Sequence, residues 1–237
     1  MNRSTPLYRQ IASRIKEDII LSNLGKDEAI LPENKLAEKY KVSRVTIRRA
    51  IDLLVKEGIL YRIQGSGTYV KTEKINHDIY KLQGFTEEML QLQQNPINKI
   101  LEFRLEYPDR QVRDILHLKE DERVFFVRRL RCVGEEPMIL EETYLPEKLF
   151  PDLSVEVMSK SKYDYVERKG YQIKERRGEI SAIFPNKSLN QLLRTPKDLP
   201  LIYMSAWAYL EDGTVFEYTK LYFRSDKYTF KFSSKRM

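Results

Sequence analysis

Two arginines followed by a glutamate in the next strand-like segment form the first candidate site in this sequence. Arg129 and Arg131 are two residues apart in the β-prone segment 124–133, so their side chains point to the same face of a strand. An antiparallel return strand would bring Glu141 close to them, and Glu217 stands among aromatic residues in a later segment. These residue types together suit a small polar ligand that carries an anionic group. Solvated cross-strand salt bridges are the alternative interpretation.

The helix predicted between Ser43 and Gly58 is the second candidate site. Ser43 suits the N-cap, and Gly58 suits the position after the helix end, where the backbone often turns left-handed. One face is apolar and carries Ile47, Ala50, Ile51 and Leu54. The opposite side and the first turn carry basic and hydroxyl residues, namely Arg44, Thr46, Arg48 and Arg49. Entry into the major groove of DNA requires such a helix, although ordinary amphipathic surface helices share the pattern.

The segments on either side of this helix favour DNA binding. Upstream, the short apolar stripe of residues 31–40 predicts another helix, which a two-residue connection joins to the first. Downstream, β-prone runs at 59–63 and 68–70 predict a hairpin. A helix-turn-helix followed by a hairpin is a winged helix. Small residues at the hairpin tip let the backbone approach DNA closely; these are Gly65, Ser66 and Gly67.

Residues 31–70 contain several short motifs at fixed spacing. They include LAE at 36–38, VSR at 42–44, EG at 57–58 and GTYV at 67–70. This pattern resembles the DNA-binding domain of GntR-type transcription regulators. The resemblance implies that phosphates and bases are contacted by Ser43, Arg44, Thr46 and Arg48, and that Gly65 approaches the minor groove. We expect the DNA interface to comprise these residues together with Arg49, Ser66 and Gly67.

Two features depart from the family pattern. Pro32 is followed directly by Glu33, where family members usually have a serine between proline and glutamate. We therefore expect the upstream helix to lack a capping hydroxyl. Asn34 stands where the family often has arginine, and Ser66 where it often has lysine or arginine. Both changes predict fewer phosphate contacts.

The arginine pair belongs to a longer pattern that ends in the C-terminal segment. RLR at 129–131 is followed by Pro137, by Glu141 and by YLP at 144–146, and EYT follows at 217–219. Over residues 80–235 the chain resembles the UTRA effector-binding domain of HutC-type GntR regulators. The resemblance implies effector contacts at Gly84, Phe85, Arg129, Arg131, Glu141, Ser161, Glu217 and Tyr228.

The resemblance also implies roles for these residues. The two arginines would hold an anionic group, the two glutamates would accept hydrogen bonds from sugar or amine groups, and Tyr228 would close the pocket or bond the ligand. Sugar-phosphate sensors of this group often have small hydroxyl residues just before the phenylalanine, where Gln83 and Gly84 stand here. We expect a sugar phosphate or another small anionic metabolite as the effector, and this departure leaves a carboxylate or an uncharged sugar open.

Charge and segment pattern predict two domains. The 237 residues carry 42 basic and 35 acidic side chains, a net charge of +7. Residues 1–70 have 13 basic and 8 acidic side chains, or +5, which fits a polyanion-binding module. We expect a winged-helix domain at 1–70, a polar linker at 71–80 and an effector-binding and dimerisation domain at 81–237. Alternating strand-like and helix-like segments predict an α+β domain with an antiparallel sheet, which resembles the chorismate-lyase-like fold.

Several classes of site are disfavoured by composition. The chain has one cysteine and two histidines, so we expect no internal disulfide, no metal centre and no cofactor. It has no Gly-rich phosphate loop and no plausible Ser/His/Asp set, so no catalytic residues are predicted. No apolar run approaches a membrane span or the core of a signal peptide. We expect a cytoplasmic protein without a membrane partner.

The leading hypothesis is a transcription regulator, more specifically a repressor controlled by a small-molecule effector. A homodimer would place two winged helices on a palindromic operator in double-stranded DNA. Two alternatives stay open at this point. One is an enzyme that uses the lyase-like fold, which fold analogy by itself does not establish. The other is a nucleic-acid-binding protein without sequence preference.

Overall fold

The computed structural model describes residues 6–22, 24–71 and 74–234. The chain divides into two compact units between Ile75 and Asn76. The first unit contains three helices and a hairpin: α1 (Leu7–Leu21), α2 (Glu33–Tyr40), α3 (Arg44–Lys56), β1 (Leu60–Ile63) and β2 (Gly67–Val70). Among the described residues, no helix has the length and apolar character needed to cross a membrane.

The core of the first unit forms where the apolar stripes of its helices meet. The four apolar residues predicted for the back of α3 are completely buried, and they pack with the stripe of α1 that includes Ile11 and Ile15. The 3.6-residue spacing predicts that Leu7 lies on the same stripe, but Leu7 is 52% exposed because it stands at the first position of the helix. The sequence also predicts that Gly25 ends this helix, whereas α1 ends at Leu21 with Ser22 at the C-cap.

The second unit is an α+β domain. Its strands are β3 (Ile75–Asp78), β4 (Pro96–Glu106), β5 (Val124–Val133), β6 (Glu136–Pro146), β7 (Ile173–Ile183), β8 (Leu201–Leu210), β9 (Val215–Arg224) and β10 (Tyr228–Lys231). Its helices are α4 (Phe85–Gln91), α5 (Arg110–Ile115), α6 (Val155–Met158), α7 (Lys162–Arg168) and α8 (Lys187–Leu193).

Six of these strands form one antiparallel sheet in the order β4-β5-β6-β9-β8-β7. Gly134 and Gly213 have φ values of +56° and +87° in the turns of the β5-β6 and β8-β9 hairpins. Glycine adopts this left-handed conformation without a steric cost, so both turns close where the sequence predicts them. The antiparallel α+β class is confirmed.

Two short strands fall outside the predicted pattern. Strand β3 occupies part of the segment 71–80 that the sequence assigns to a linker, and it pairs with β10 in a separate two-stranded sheet. Each strand has only four residues, and its partner is far away along the chain, so neither gives a local signal. The sequence also predicts a helix over residues 85–94 with Phe85, Met89 and Leu92 on one face, but α4 ends at Gln91 and Leu92 is 48% exposed.

Candidate DNA interface and ligand pocket

The first turn of α3 presents a set of polar side chains to solvent. The Ser43 hydroxyl accepts a hydrogen bond from the Thr46 backbone N–H at 3.2 Å, which caps the helix as predicted. Ser43, Arg44, Arg48 and Arg49 are exposed, and Thr46 is half-buried. Within the described residues, Arg44 and Arg49 form no ion pair, so both guanidinium groups are available to a polyanion.

Glu33, at the start of α2, contacts two arginines: Arg48 of the predicted interface and Arg62 of β1. Its carboxylate accepts hydrogen bonds from Arg48 Nη2 at 3.1 Å and from Arg48 Nε at 3.3 Å. Its other oxygen lies 3.7 Å from Arg62 Nη2. This contact was not predicted, because Glu33 and Arg48 lie on different helices. As expected from the missing serine, Pro32 caps α2 without a side-chain hydrogen bond.

The hairpin tip is exposed at all three predicted positions, Gly65, Ser66 and Gly67. Gly65 has φ +76° and nothing within 4 Å of the position where a Cβ would stand. The backbone conformation therefore favours glycine, while the absence of a side chain leaves the backbone open to a groove. The tip is supported by Tyr61 and Tyr69, whose rings stack at 5.6 Å across the hairpin.

The second unit contains a cavity that is partly open to solvent. Six of the eight predicted effector residues line it, namely Gly84, Phe85, Arg131, Glu141, Ser161 and Glu217. The other two, Arg129 and Tyr228, are buried and are not part of its wall. Strand register explains much of this grouping, since Arg129 stands directly opposite Glu141 across the β5-β6 pair.

A buried network of charges lies in and directly behind one part of the cavity wall. Glu141 accepts hydrogen bonds from Arg129 Nη2 at 2.8 Å, from Arg131 Nε and from Lys162 Nζ at 3.1 Å. Lys162 Nζ also lies 2.7 Å from Glu217 Oε1. We call these five residues the cationic network. It contains three cations and two carboxylates, so it carries one excess positive charge in a place where water is largely excluded.

Electrostatics keep the central carboxylate of this network ionised. Burial alone would raise the pKa of Glu141, but the nearby charges of Arg129, Arg131 and Lys162 outweigh burial and hold this pKa well below 4.5. Burial lowers the pKa of Lys162 from 10.5, and the carboxylates of Glu141 and Glu217 oppose that shift. The attraction between opposite charges in the network therefore offsets the unfavourable burial of each charged group.

The cavity wall also contains residues that were not predicted as effector contacts, and these include His77, Gln83, Lys162 and Arg176. Lys162 directly follows the predicted Ser161, but a lone lysine at a helix start gives no sign of burial. Arg176 lies between two charged residues, Glu175 and Arg177, which pair with each other at 2.7 Å. In the described parts of the chain, Arg176 itself has no ion pair or side-chain hydrogen bond, so its charge adds to the positive character of the cavity.

A winged helix with a basic face, combined with a separate unit that encloses a polar cavity, defines the class of ligand-responsive DNA-binding proteins. The family comparisons agree with this architecture. Residues 7–70 match the model described as bacterial regulatory proteins, gntR family, and residues 91–229 match the UTRA domain. The chain belongs to the GntR family and carries a UTRA domain, as the resemblance implied.

Curated relatives extend over almost the whole chain. The mannosyl-D-glycerate transport/metabolism system repressor MngR of Escherichia coli K12 is 39% identical over 232 residues, which cover 98% of this chain and 97% of that protein. The HTH-type transcriptional repressor NagR of Bacillus subtilis 168 is 30% identical, with 95% and 93% covered. Family and relatives are transcription regulators and not enzymes, so the protein is a DNA-binding transcription regulator and the enzyme hypothesis is set aside.

Solved structures support the fold. The crystal structure of PhnF from Mycobacterium smegmatis covers 95% of this chain and 100% of its own, with a TM-score of 0.66 and 20% identity. The effector domain of PhnF matches 68% of this chain and 100% of its own, with a TM-score of 0.63 and 17% identity. At these identities the similarity concerns the fold alone.

Proposed function

We propose that this protein is a transcription repressor that releases its operator when a small anionic carbohydrate binds the second unit. The observation that carries the proposal is the cationic network, whose excess positive charge lies at the wall of a cavity. Residues 1–70 would act as the DNA-binding domain and 81–237 as the effector domain, with 71–80 connecting them. Such a protein acts in the cytoplasm, where the operator DNA is found.

The proposed DNA interface is the first turn of α3 together with the hairpin tip. Its members are Ser43, Arg44, Thr46, Arg48, Arg49, Gly65, Ser66 and Gly67. The assignment is supported by the exposure of every member except the half-buried Thr46, and by Arg44 and Arg49, which form no ion pair with any residue that the structure describes. Arginine side chains can form bidentate hydrogen bonds with guanine, whereas serine and threonine hydroxyls contact phosphates or bases.

The proposed effector carries a carboxylate or phosphate at the cationic network. Arg131 and Lys162 would contact this group, and Arg176 would add a further cation at the cavity wall. Ser161 caps α7 by accepting the Asp164 N–H at 3.3 Å, and its hydroxyl can still donate to the effector. One relative is named for a mannosyl-D-glycerate system, and that compound joins a sugar ring to a carboxylate. We therefore place glycosyl acids beside sugar phosphates as candidate effectors.

We also propose that the protein binds DNA as a homodimer on a palindromic operator. The face of the main sheet that carries Tyr203, Trp207 and Tyr209 is only half-buried in a single chain. Aromatic residues are enriched in protein interfaces, and a second copy would complete the burial of this face. Light scattering of the purified protein should give the mass of two chains, and a monomer would contradict this part of the proposal.

The test is selection of DNA from a random library by the purified protein at stated salt, with and without candidate effectors. The compounds are mannosyl-D-glycerate, its phosphorylated form and common sugar phosphates. We expect enrichment of one palindrome, which one compound releases. Weak binding without sequence preference would contradict the regulator mechanism. A selected palindrome that no compound releases would instead contradict the effector class.

A further inference from the structure

We infer that the cavity has a second polar end, formed by His77 and Gln83, that binds the hydroxyl groups of a sugar ring. This inference rests on the proposed function, because it assigns the part of the effector that the cationic network leaves unbound. Both residues line the cavity, and neither belongs to that network. Both are more than nine-tenths buried, with exposed fractions of 5% and 8%.

The hydrogen bonding of His77 determines what it can bind. His77 Nδ1 lies 2.7 Å from Glu88 Oε1 on α4. A carboxylate only accepts hydrogen bonds, so Nδ1 carries the proton and donates it. In the neutral ring, Nε2 is then a lone-pair acceptor. Among the described residues no group donates to this buried Nε2. A ligand hydroxyl is the donor that it lacks.

Aromatic neighbours hold the His77 ring in this orientation. The ring centroid lies 5.1 Å from that of Phe230 on β10 and 6.0 Å from that of Phe223 on β9. The pairing of β3 with β10 fixes the backbone beneath it. The acceptor is therefore in place before a ligand arrives, which lowers the entropic cost of binding.

The second residue of this end supplies the opposite hydrogen-bonding character. Gln83 Nε2 is a buried donor with no acceptor in the described parts of the chain. Glu217 Oε2, at the cationic network, is likewise a buried acceptor without a donor there. A hydroxyl group both donates and accepts, so a polyol can satisfy all three atoms, whereas an apolar ligand would leave them unpaired.

Strand register places His77 beside the cationic network. Arg131 stands opposite Ile139 on β6, and Ile139 stands opposite Phe223 on β9. The His77 ring lies 6.0 Å from the Phe223 ring, and all four residues line the cavity. A ligand whose anionic group binds Arg131 would therefore bring an attached sugar ring to His77. We assign the anionic group to the cationic network and the sugar ring to His77 and Gln83, which describes a glycosyl acid.

Two substitutions of His77 separate ligand contact from structural support. In His77→Asn the side-chain amide reaches the Nδ1 position and can still donate to Glu88, but nothing occupies the Nε2 position. In His77→Gln the amide reaches the Nε2 position instead. Both variants lose the ring and its packing, so each is the matched control for the other. Thermal unfolding of both variants reports the packing loss, which should be similar.

Calorimetry with the full-length variants and three probes tests the inference. The probes are mannosyl-D-glycerate, D-glycerate without the sugar, and methyl mannoside without the carboxylate. For mannosyl-D-glycerate we expect about tenfold weaker binding by the Asn variant and less than threefold weakening by the Gln variant, the effect of about one hydrogen bond. D-glycerate should bind both variants and the native protein equally.

Three outcomes would overturn the inference. Equal weakening by both variants for every probe would mean that His77 supports the structure without contacting ligand. Equal weakening of mannosyl-D-glycerate and D-glycerate by the Asn variant would place the sugar elsewhere. Failure of the native protein to bind any probe while it still selects an operator would exclude the glycosyl-acid class and leave the regulator intact. The measurements contain no DNA, so failure of operator selection would contradict only the proposed function.

Discussion

Glu141 illustrates how a single side chain can organise a ligand site. It accepts hydrogen bonds from two arginines, from Lys162 and from the Thr143 hydroxyl at 2.7 Å. Because all these partners are donors, the carboxylate fixes their positions before a ligand binds. The ligand then meets cations whose orientation is already set, so less conformational freedom is lost on binding.

The lowered pKa of Glu141 predicts a specific dependence of stability on pH. The folded protein holds this carboxyl below its ordinary pKa of 4.5, so the unfolded chain binds more protons near and below that pH. Its contribution is therefore fully present above pH 4.5 and is lost as the pH falls towards the folded pKa. Thermal unfolding between pH 7 and pH 3 should show a falling midpoint below pH 4.5.

The variant Glu141→Gln provides the comparison for this pH prediction. This variant should be less stable than the native protein at pH 7, because loss of the Glu141 carboxylate leaves three buried cations with one carboxylate. Breaking a buried ion pair costs about 3–5 kcal/mol. Its midpoint should also fall less steeply below pH 4.5. Parallel pH profiles of the two proteins would show that other carboxylates govern acid unfolding.

Single substitutions of Arg44 and Arg48 test the proposed DNA interface. Replacing either with alanine should weaken specific operator binding by about 1–3 kcal/mol if each contacts a base. Arg110→Ala is the control, because Arg110 is an exposed helical arginine in the second unit with a side chain 88% exposed. Fluorescence anisotropy with operator and scrambled DNA measures both effects. Unchanged affinity in both α3 variants would show that this helix does not bind in the DNA groove.

At the scale of elements, the contact between α2 and α3 restrains one of these arginines. Glu33 holds Arg48 and lies near Arg62, so part of the positive charge offered to DNA is neutralised. The serine missing before Glu33 leaves α2 with a proline cap and an acidic first turn. Glu33 at the start of α2 therefore reduces the positive charge that α3 presents to solvent.

Glu33→Gln should consequently strengthen operator binding several-fold, because removing one negative charge frees Arg48 and reduces repulsion of phosphates. Glu38→Gln is the control on the same helix, since among the described residues Glu38 pairs only with Lys35, at 3.2 Å and at an exposed position. Anisotropy titrations at two salt concentrations measure the change. Weaker binding by the Glu33 variant would show that Glu33 positions Arg48 for a base contact.

At the scale of the whole molecule, regulation requires that the two units affect each other. Strand β3 begins at the boundary between the units and carries His77, whose ring lines the cavity. A ligand bound there would touch the strand through which the chain enters the second unit. Through this strand, the backbone joins the proposed effector site to the DNA-binding unit.

Thermodynamic linkage gives a quantitative prediction for this coupling. If an effector weakens operator binding by some factor, the operator must weaken effector binding by the same factor. Calorimetric titration of the effector into free protein and into the protein–operator complex should give two affinities with that ratio. Equal affinities in the two titrations would mean that the ligand does not control DNA release.

Local sequence patterns determined the winged helix, the main hairpins and a few residues of the cavity wall. The apolar face of α3 and its Ser43 cap follow from a 3.6-residue period and a capping rule, both of which act within one element. Arg129, Arg131 and Glu141 come together because a tight turn sets the register between neighbouring strands. The resemblance to known regulators added Gly84, Phe85 and Ser161 to the same site.

Tertiary structure alone decided the burial of Lys162, the pairing of Glu33 with Arg48, and the place of His77. Each depends on elements that are distant in sequence, and the strands that hold His77 are too short to carry a pattern. Whether a charged or polar side chain is buried depends on which elements pack around it. The free energy of that packing is shared among residues far apart in the chain, so no local pattern contains it.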